Sequence, residues 1–176
     1  LEGRNKMIAK QKLLFGEAIE FYKKKDLTNA QLKYEEIIKI NPKNSEAYGN
    51  LGVIYKSKGD VNTAIKCYLQ AIKLNPKNKS VYNNIGNAFK EIKNYKMAIR
   101  AYSDSIKLNP NDFNAFNNLG IIYETIGDNN KAIAAYKEAV KINPKHAKSV
   151  NNIGVVLYKQ KEYKKAAEIF EIALKT

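Results

Sequence analysis

The sequence predicts an all-α fold, an open superhelical stack of paired helices in which one supersecondary unit is copied along the chain. Three observations predict it. The four prolines, Pro42, Pro76, Pro110 and Pro144, stand at a constant interval of 34 residues, and each follows an asparagine. Small residues run in the same phase at Ala18, Gly52, Gly86, Gly120 and Gly154, with a second series at Ala30, Ala64, Ala98, Ala132 and Ala166. Bulky residues recur between them at Phe21, Tyr55, Phe89, Tyr123 and Leu157, and again at Tyr34, Tyr68, Tyr102, Tyr136 and Phe170. A fixed period of this size marks a repeat protein, whose core lies between neighbouring copies rather than at one centre.

The elements of one copy follow in order. Tyr48, Leu51, Val53, Ile54 and Tyr55 fall at helical spacing and predict the first helix; Ala64, Ile65, Tyr68, Ala71 and Ile72 predict the second. Gly52 and Ala64 lack bulk where the two helices come closest, and Tyr48, Leu51, Tyr55 and Tyr68 fill the space around that contact. Between the helices, Lys58-Gly59-Asp60 and Ile126-Gly127-Asp128 offer a glycine to reverse the chain and an aspartate to cap the next helix. The Asn-Pro pair then ends the second helix, because proline lacks an N–H and disfavours helical geometry in the residue before it.

The period, both ladders and the closing Asn-Pro resemble the tetratricopeptide repeat (TPR) family over nearly the whole chain. The resemblance implies a right-handed superhelical solenoid of helix-turn-helix units. It also implies a protein-protein interaction scaffold that binds an extended peptide segment in the concave groove lined by the first helix of each repeat. The assignment is a single solenoid over residues 11–176, with repeats 11–44, 45–78, 79–112, 113–146 and a truncated 147–176. Residues 1–10 are expected to be a cloning remnant or the cut edge of a longer chain. The last repeat stops before its Asn-Pro, and Ile169, Phe170, Ile172, Ala173 and Leu174 have no capping helix after them. Further repeats or another domain are therefore expected beyond Thr176, and self-association through the uncapped end is expected.

Composition narrows the function classes. The apolar runs are too short and too interrupted by Lys and Asn for a membrane span, and no signal-peptide pattern opens the chain, so an intracellular setting, cytoplasmic or nuclear, is expected. Cys67 stands alone, which excludes an intrachain disulfide and leaves a passive thiol on a helix. His146 is single and reads as a solvated loop residue after Pro144. No Cys and His cluster has metal spacing, no glycine loop suits phosphate, and no carboxylate pair recurs, so neither enzyme chemistry nor a cofactor is expected.

The chain carries 31 Lys+Arg against 17 Asp+Glu, a net charge of +14. Lys39, Lys73, Lys107, Lys141 and Lys175 recur in the last turn of each second helix, where a cation complements the helix dipole. Lys43, Lys77 and Lys145 lie in the loops between repeats. This decorates the outside of the stack, so the expected partner is a protein or peptide, drawn in if acidic, rather than nucleic acid.

The candidate binding residues are amides. Asn50, Asn84, Asn118 and Asn152 form a ladder on the first helices, doubled by Asn83, Asn117 and Asn151 in the last three repeats. Each ladder amide precedes an apolar-plus-Gly pair and so leaves the helix on a different face from the buried residues. A carboxamide both donates and accepts, so it can pair with an extended backbone whatever the side chains are. The alternative use of such amides is to tie adjacent helices together. Three residues further on, Ile19, Val53, Asn87, Ile121 and Val155 share the face and add aliphatic patches.

Within the family, two resemblances imply narrower roles. The unbroken inner ladder Asn50, Asn84, Asn118 and Asn152 is similar to the repeat arm of nucleocytoplasmic O-linked glycosyltransferases, which would make this chain a substrate-selecting arm without its catalytic domain. Asn87, Asn118 and Lys148 match three positions of the clamp by which co-chaperones hold the acidic tail of heat-shock chaperones. Asn83 and Asn152 stand where that clamp has Lys and Arg.

Overall fold

A computed structural model describes residues 2–174. Lys175 of the lysine series and Thr176 lie outside the described residues. Among the described residues the chain is all-α, with ten helices and no strand. It divides into two compact units, Leu1–Ile92 and Lys93–Thr176. The first holds α1 (Glu2–Lys23), α2 (Leu27–Ile40), α3 (Ser45–Ser57), α4 (Val61–Leu74) and α5 (Lys79–Glu91). The second holds α6 (Tyr95–Leu108), α7 (Phe113–Thr125), α8 (Asn129–Ile142), α9 (Ala147–Lys159) and α10 (Tyr163–Leu174). The first helix begins at Glu2, well before residue 11.

The turns that join α1 to α2, α3 to α4, α7 to α8 and α9 to α10 share one hydrogen-bond pattern. The Asp60 N–H donates to the Tyr55 carbonyl at 2.9 Å and the Gly59 N–H to that of Lys56 at 2.9 Å, a Schellman closure of α3. Asp60 then turns its carboxylate forward to accept the Thr63 N–H at 3.0 Å, so one residue ends a helix and caps the next. Asp128 does the same for α8 through the Lys131 N–H, and Asp26 for α2 through the Asn29 N–H. Hydrogen bonds from Asn29 and from Thr63, in the first turn of the helix each caps, hold Asp26 and Asp60 below the usual carboxylate range. Gly59 and Gly127 adopt φ 85°, the left-handed region where glycine carries no Cβ penalty. The same register is held by Lys25, Lys93 and Lys161 at φ 61°, 59° and 64°, so three turns place a lysine in that geometry.

The ends of the even helices explain the asparagine before each proline. Asn41, Asn75, Asn109 and Asn143 are extended C-cap residues, with φ between −144° and −129°. Three of them use the side chain as well: the Oδ1 atoms of Asn41, Asn75 and Asn143 accept the N–H of Lys43, Lys77 and Lys145 at 3.1, 3.2 and 3.2 Å. Proline stops the helix, and asparagine folds the following turn.

Packing follows the two ladders. Ala30, Ala64, Ala98 and Ala132 have no exposure and Ala166 has 1%. A Cβ built on Gly52 would stand 2.5 Å from Tyr68 Cε1, one on Gly120 2.4 Å from Tyr136 Cε1, and one on Gly154 2.5 Å from Phe170 Cε1. Each glycine is thus a seat for the ring sixteen residues later, and the ring, not the opposing backbone, sets how small the residue must be. In the first unit Leu14, Ala18, Ala30, Tyr34, Ile37, Ala47, Leu51 and Ile54 form one core around Cys67. Burial, with Asp60 and Glu35 nearby, pushes the Cys67 thiol up to about 11, leaving it an unreactive packing residue. At the far end of α10, Ile172 and Leu174 are exposed.

Candidate functional site

In the first unit the candidate amides lie on α3 and α5. Asn50, Asn83, Asn84 and Asn87 are all half-buried. Asn50 hydrogen-bonds to the phenol of Tyr34, whose pKa is raised by burial and by the nearby Glu46 and lowered by that bond. Asn84 has no hydrogen-bond partner among the described residues. Between the two helices lies a cavity of about 390 Å³. Asn50, Asn84, Asn75 and Asn78 bring carboxamides to it, Ser45 and Ser80 hydroxyls, and Glu46 a carboxylate, with Gly49 and Val81 at its floor. Asn50 also borders a smaller slot of about 50 Å³ with Tyr22, Tyr34, Val53 and Ile54. Val53 is half-buried and Ile19, one repeat earlier, is 43% exposed, so aliphatic surface does accompany the amides here.

In the second unit the amides lie on α7 and α9, and they are used differently. Asn117 is 7% exposed, and its Oδ1 accepts from the Ser149 hydroxyl at 2.9 Å and from Asn152 Nδ2 at 3.3 Å. Of the expected contact residues, Asn117 is therefore a brace between two first helices, because α9 packs over it and covers its amide. Asn118 and Asn152 are half-buried, and Asn151 and Lys148 are exposed. Ile121 and Val155 are half-buried. Asn87 of the clamp-like set belongs to the first unit, Asn118 and Lys148 to the second.

His146 differs from the sequence expectation. It is the N-cap residue of α9, half-buried, with its ring 4.9 Å from that of Phe113 and its Nδ1 2.7 Å from Ser149 Oγ. The Ser149 proton is committed to Asn117, so Nδ1–H of the imidazole donates to Ser149. A single chain of bonds thus runs from His146 through Ser149 and Asn117 to Asn152. Burial and the neighbouring Lys148 lower the His146 pKa below the ordinary 6.5. The folded state then binds a proton less tightly than the unfolded chain, so the stabilisation is complete above that ordinary value and is lost as pH falls through the depressed one. The melting temperature is expected to be flat from pH 8 to 7 and to decline below about 6.5. A His146→Asn variant, which restores the asparagine found in register at Asn44 and Asn78, should lack the part of the decline seen above pH 5; identical pH profiles would refute the assignment.

The sequence reading missed Ser45, Glu46, Asn75, Asn78 and Ser80. One signal was present: the doubled amide at Asn83, Asn117 and Asn151 is interrupted at the same register by Gly49. A missing side chain on an otherwise regular ladder marks an opening. Among the described residues no group of three or more His, Cys, Asp or Glu side chains could hold a metal ion. No described helix is long and apolar enough to cross a membrane. Lys39, Lys73, Lys107 and Lys141 sit exposed in the last turns of the even helices.

Comparison with known proteins agrees with the repeat pattern. Models of the TPR or tetratricopeptide repeat match residues 33–66, 54–93, 86–127, 113–146 and 146–176. No curated protein matches the chain. Among solved structures, a MamA protein is 26% identical, with a TM-score of 0.87 over 94% of this chain and 91% of its own. PilF of Pseudomonas aeruginosa is 19% identical, with a TM-score of 0.85 over 96% of this chain and 77% of its own. YrrB, a TPR protein with an unusual peptide-binding site, is 20% identical, with a TM-score of 0.78 over 92% of this chain and 84% of its own.

Proposed function

We propose, from the premise that this chain belongs to the tetratricopeptide repeat family, that it binds an extended segment of a protein partner along the amide faces of its first helices. A protein-interaction scaffold is what the repeats and the structural neighbours support. The single observation that carries the finer reading is Asn84, a half-buried carboxamide on the wall of a polar cavity with no partner of its own among the described residues. Leaving such a group dry and unpaired costs about 1–3 kcal/mol, so it is held for water or for a guest.

The geometry suits main-chain recognition. Neighbouring helices pack roughly 8–10 Å apart, and an extended chain advances about 3.3 Å per residue. Within one unit, the ladder amides Asn50 and Asn84, or Asn118 and Asn152, then meet peptide residues about three apart and pair with their N–H and C=O, leaving the partner's side chains free to vary. Asn50, Asn84, Asn118 and Asn152 are the proposed backbone contacts, with Asn83, Asn87, Asn151 and Lys148 beside them; Asn117 supports Asn152 from below. The net charge of +14 speeds the approach of acidic partners.

The test uses a decapeptide selected on the wild-type chain from a random display library. Changing Asn84, Asn118 and Asn152 together to Ala is expected to weaken its binding on the order of tenfold or more while the far-ultraviolet circular dichroism stays helical. Unchanged affinity would move the site off the amide face, and a library that yields no binder would refute peptide capture.

A further inference from the structure

The positions that line the cavity between α3 and α5 have counterparts in register in the second unit, and there their side chains pair with one another. At the α7–α9 positions, Phe113 packs on His146 and Asn117 bonds to Ser149. The residues in register in the first unit are Ser45, Asn78, Gly49 and Val81. A ring has become a hydroxyl and a bracing amide has become a hydrogen atom. A Cβ on Gly49 would stand 3.3 Å from Val81 Cγ2, so even an alanine there would press on the floor. What remains is a polar opening of about 390 Å³, the size of a small ligand site and large enough for one long side chain.

Its charge is equally specific. The chain carries 31 Lys+Arg, yet none of them lines this cavity, and its one formal charge is Glu46. Most acidic side chains of the first unit are engaged: Glu17, Glu20, Glu36 and Glu91 pair with Lys33, Lys23, Lys10 and Lys56, while Asp26 and Asp60 cap helices. Glu46 forms no ion pair among the described residues and acts at a distance on the phenol of Tyr34. In the same register the later repeats carry Ser80, Asn114 and Lys148, so the carboxylate belongs to this position alone. Asn50, Asn84 and the two hydroxyls supply acceptor oxygens around it, which is the surrounding a multi-donor cation needs.

We propose that this cavity is a side-chain pocket for a cationic residue of the bound segment, an arginine guanidinium or lysine ammonium held by Glu46 and the oxygens of Asn84 and Ser45. The inference rests on the peptide-binding reading and adds to it a preference at one position. The competing role for Glu46 is to complement the α3 dipole from its first turn. That role predicts a change in melting temperature and no change in ligand choice.

The probe is N-acetyl-arginine methylamide, titrated into the full chain by nuclear magnetic resonance, with the glutamate analogue in parallel. Saturable shifts of the Asn78 and Asn84 side-chain amides are expected with the arginine probe only. Glu46→Gln should weaken them about fivefold, and Ser45→Phe, which installs the ring found at Phe113, should abolish them. Equal responses to both probes, no response to either, or binding untouched by both substitutions would overturn the pocket. If the arginine probe fails while the triple asparagine change still abolishes capture of the library peptide, the pocket falls and the groove stands. Arginine binding without any enriched peptide would sink the groove and with it the assignment of the pocket to a residue of a bound segment.

Discussion

Changing Tyr136 to Ala is expected to cost about 3–5 kcal/mol, the usual loss for removing a buried ring. The ring is fully buried between Ala132, Ile153 and Val156, and its hydroxyl donates to Glu124 Oε2 at 3.0 Å. Glu124 is held in turn by Lys159 Nζ at 2.5 Å, which ties α7, α8 and α9 at one point. Alanine removes the apolar contact, the hydroxyl and the filler of the Gly120 seat together, and a helical backbone cannot collapse into the gap. In a stack of repeats such a loss does not spread evenly, because each copy leans on its neighbours only. Urea unfolding of the full chain should therefore become biphasic, with the second unit melting first. A loss below about 1 kcal/mol would show that Tyr136 is not a keystone. Tyr136→Phe should cost far less, since it keeps the ring and gives up one hydrogen bond.

Gly120→Ala is expected to destabilise although the position lies within a helix. Alanine in place of a helical glycine normally contributes about 0.5–1 kcal/mol. Here the new Cβ would lie 2.4, 2.5 and 2.8 Å from Cε1, Cδ1 and Cζ of Tyr136, closer than carbon atoms approach. The ring is buried and hydrogen-bonded at its tip, so it has no free direction in which to move. Overpacking of this kind costs roughly 1–3 kcal/mol and outweighs the propensity gain. Gly16 provides the comparison: a Cβ there meets nothing within 4 Å, so Gly16→Ala should stabilise by about 0.5–1 kcal/mol. Thermal melts of the two variants should shift in opposite directions; shifts of the same sign would refute the packing argument.

The same contact shows why the architecture was legible in the residues. A glycine and a ring sixteen positions apart are a local pair joined by a short hairpin, so their spacing survives into the sequence, and the Asp and Asn-Pro punctuation is chemistry of adjacent residues. The candidate site was legible only in part. Asn83, Asn117 and Asn151 are one residue type in one register, yet Asn117 is buried in a brace and Asn151 is exposed. What separates them is what packs over each from another repeat, Ser149 in the case of Asn117, and that is a tertiary fact. His146 was misplaced for the same reason: as a single residue after a proline it reads as solvent-facing, and only Phe113, thirty-three positions earlier, brings a ring against it. The cavity beside Glu46 could be read only as an interruption, because its lining comes from α3, α5 and the turn before α5, which only the packing of two repeats brings together.

Three of the turns between helices, at Lys25, Lys93 and Lys161, hold a backbone shape that Gly59 and Gly127 adopt freely. Each lysine forgoes about 1 kcal/mol relative to a residue without a Cβ, and none of the three belongs to the amide ladder. The molecule therefore has an adjustable frame: its resilience to heat can be raised or relaxed one turn at a time, by swapping glycine for lysine or the reverse, without altering any ladder amide.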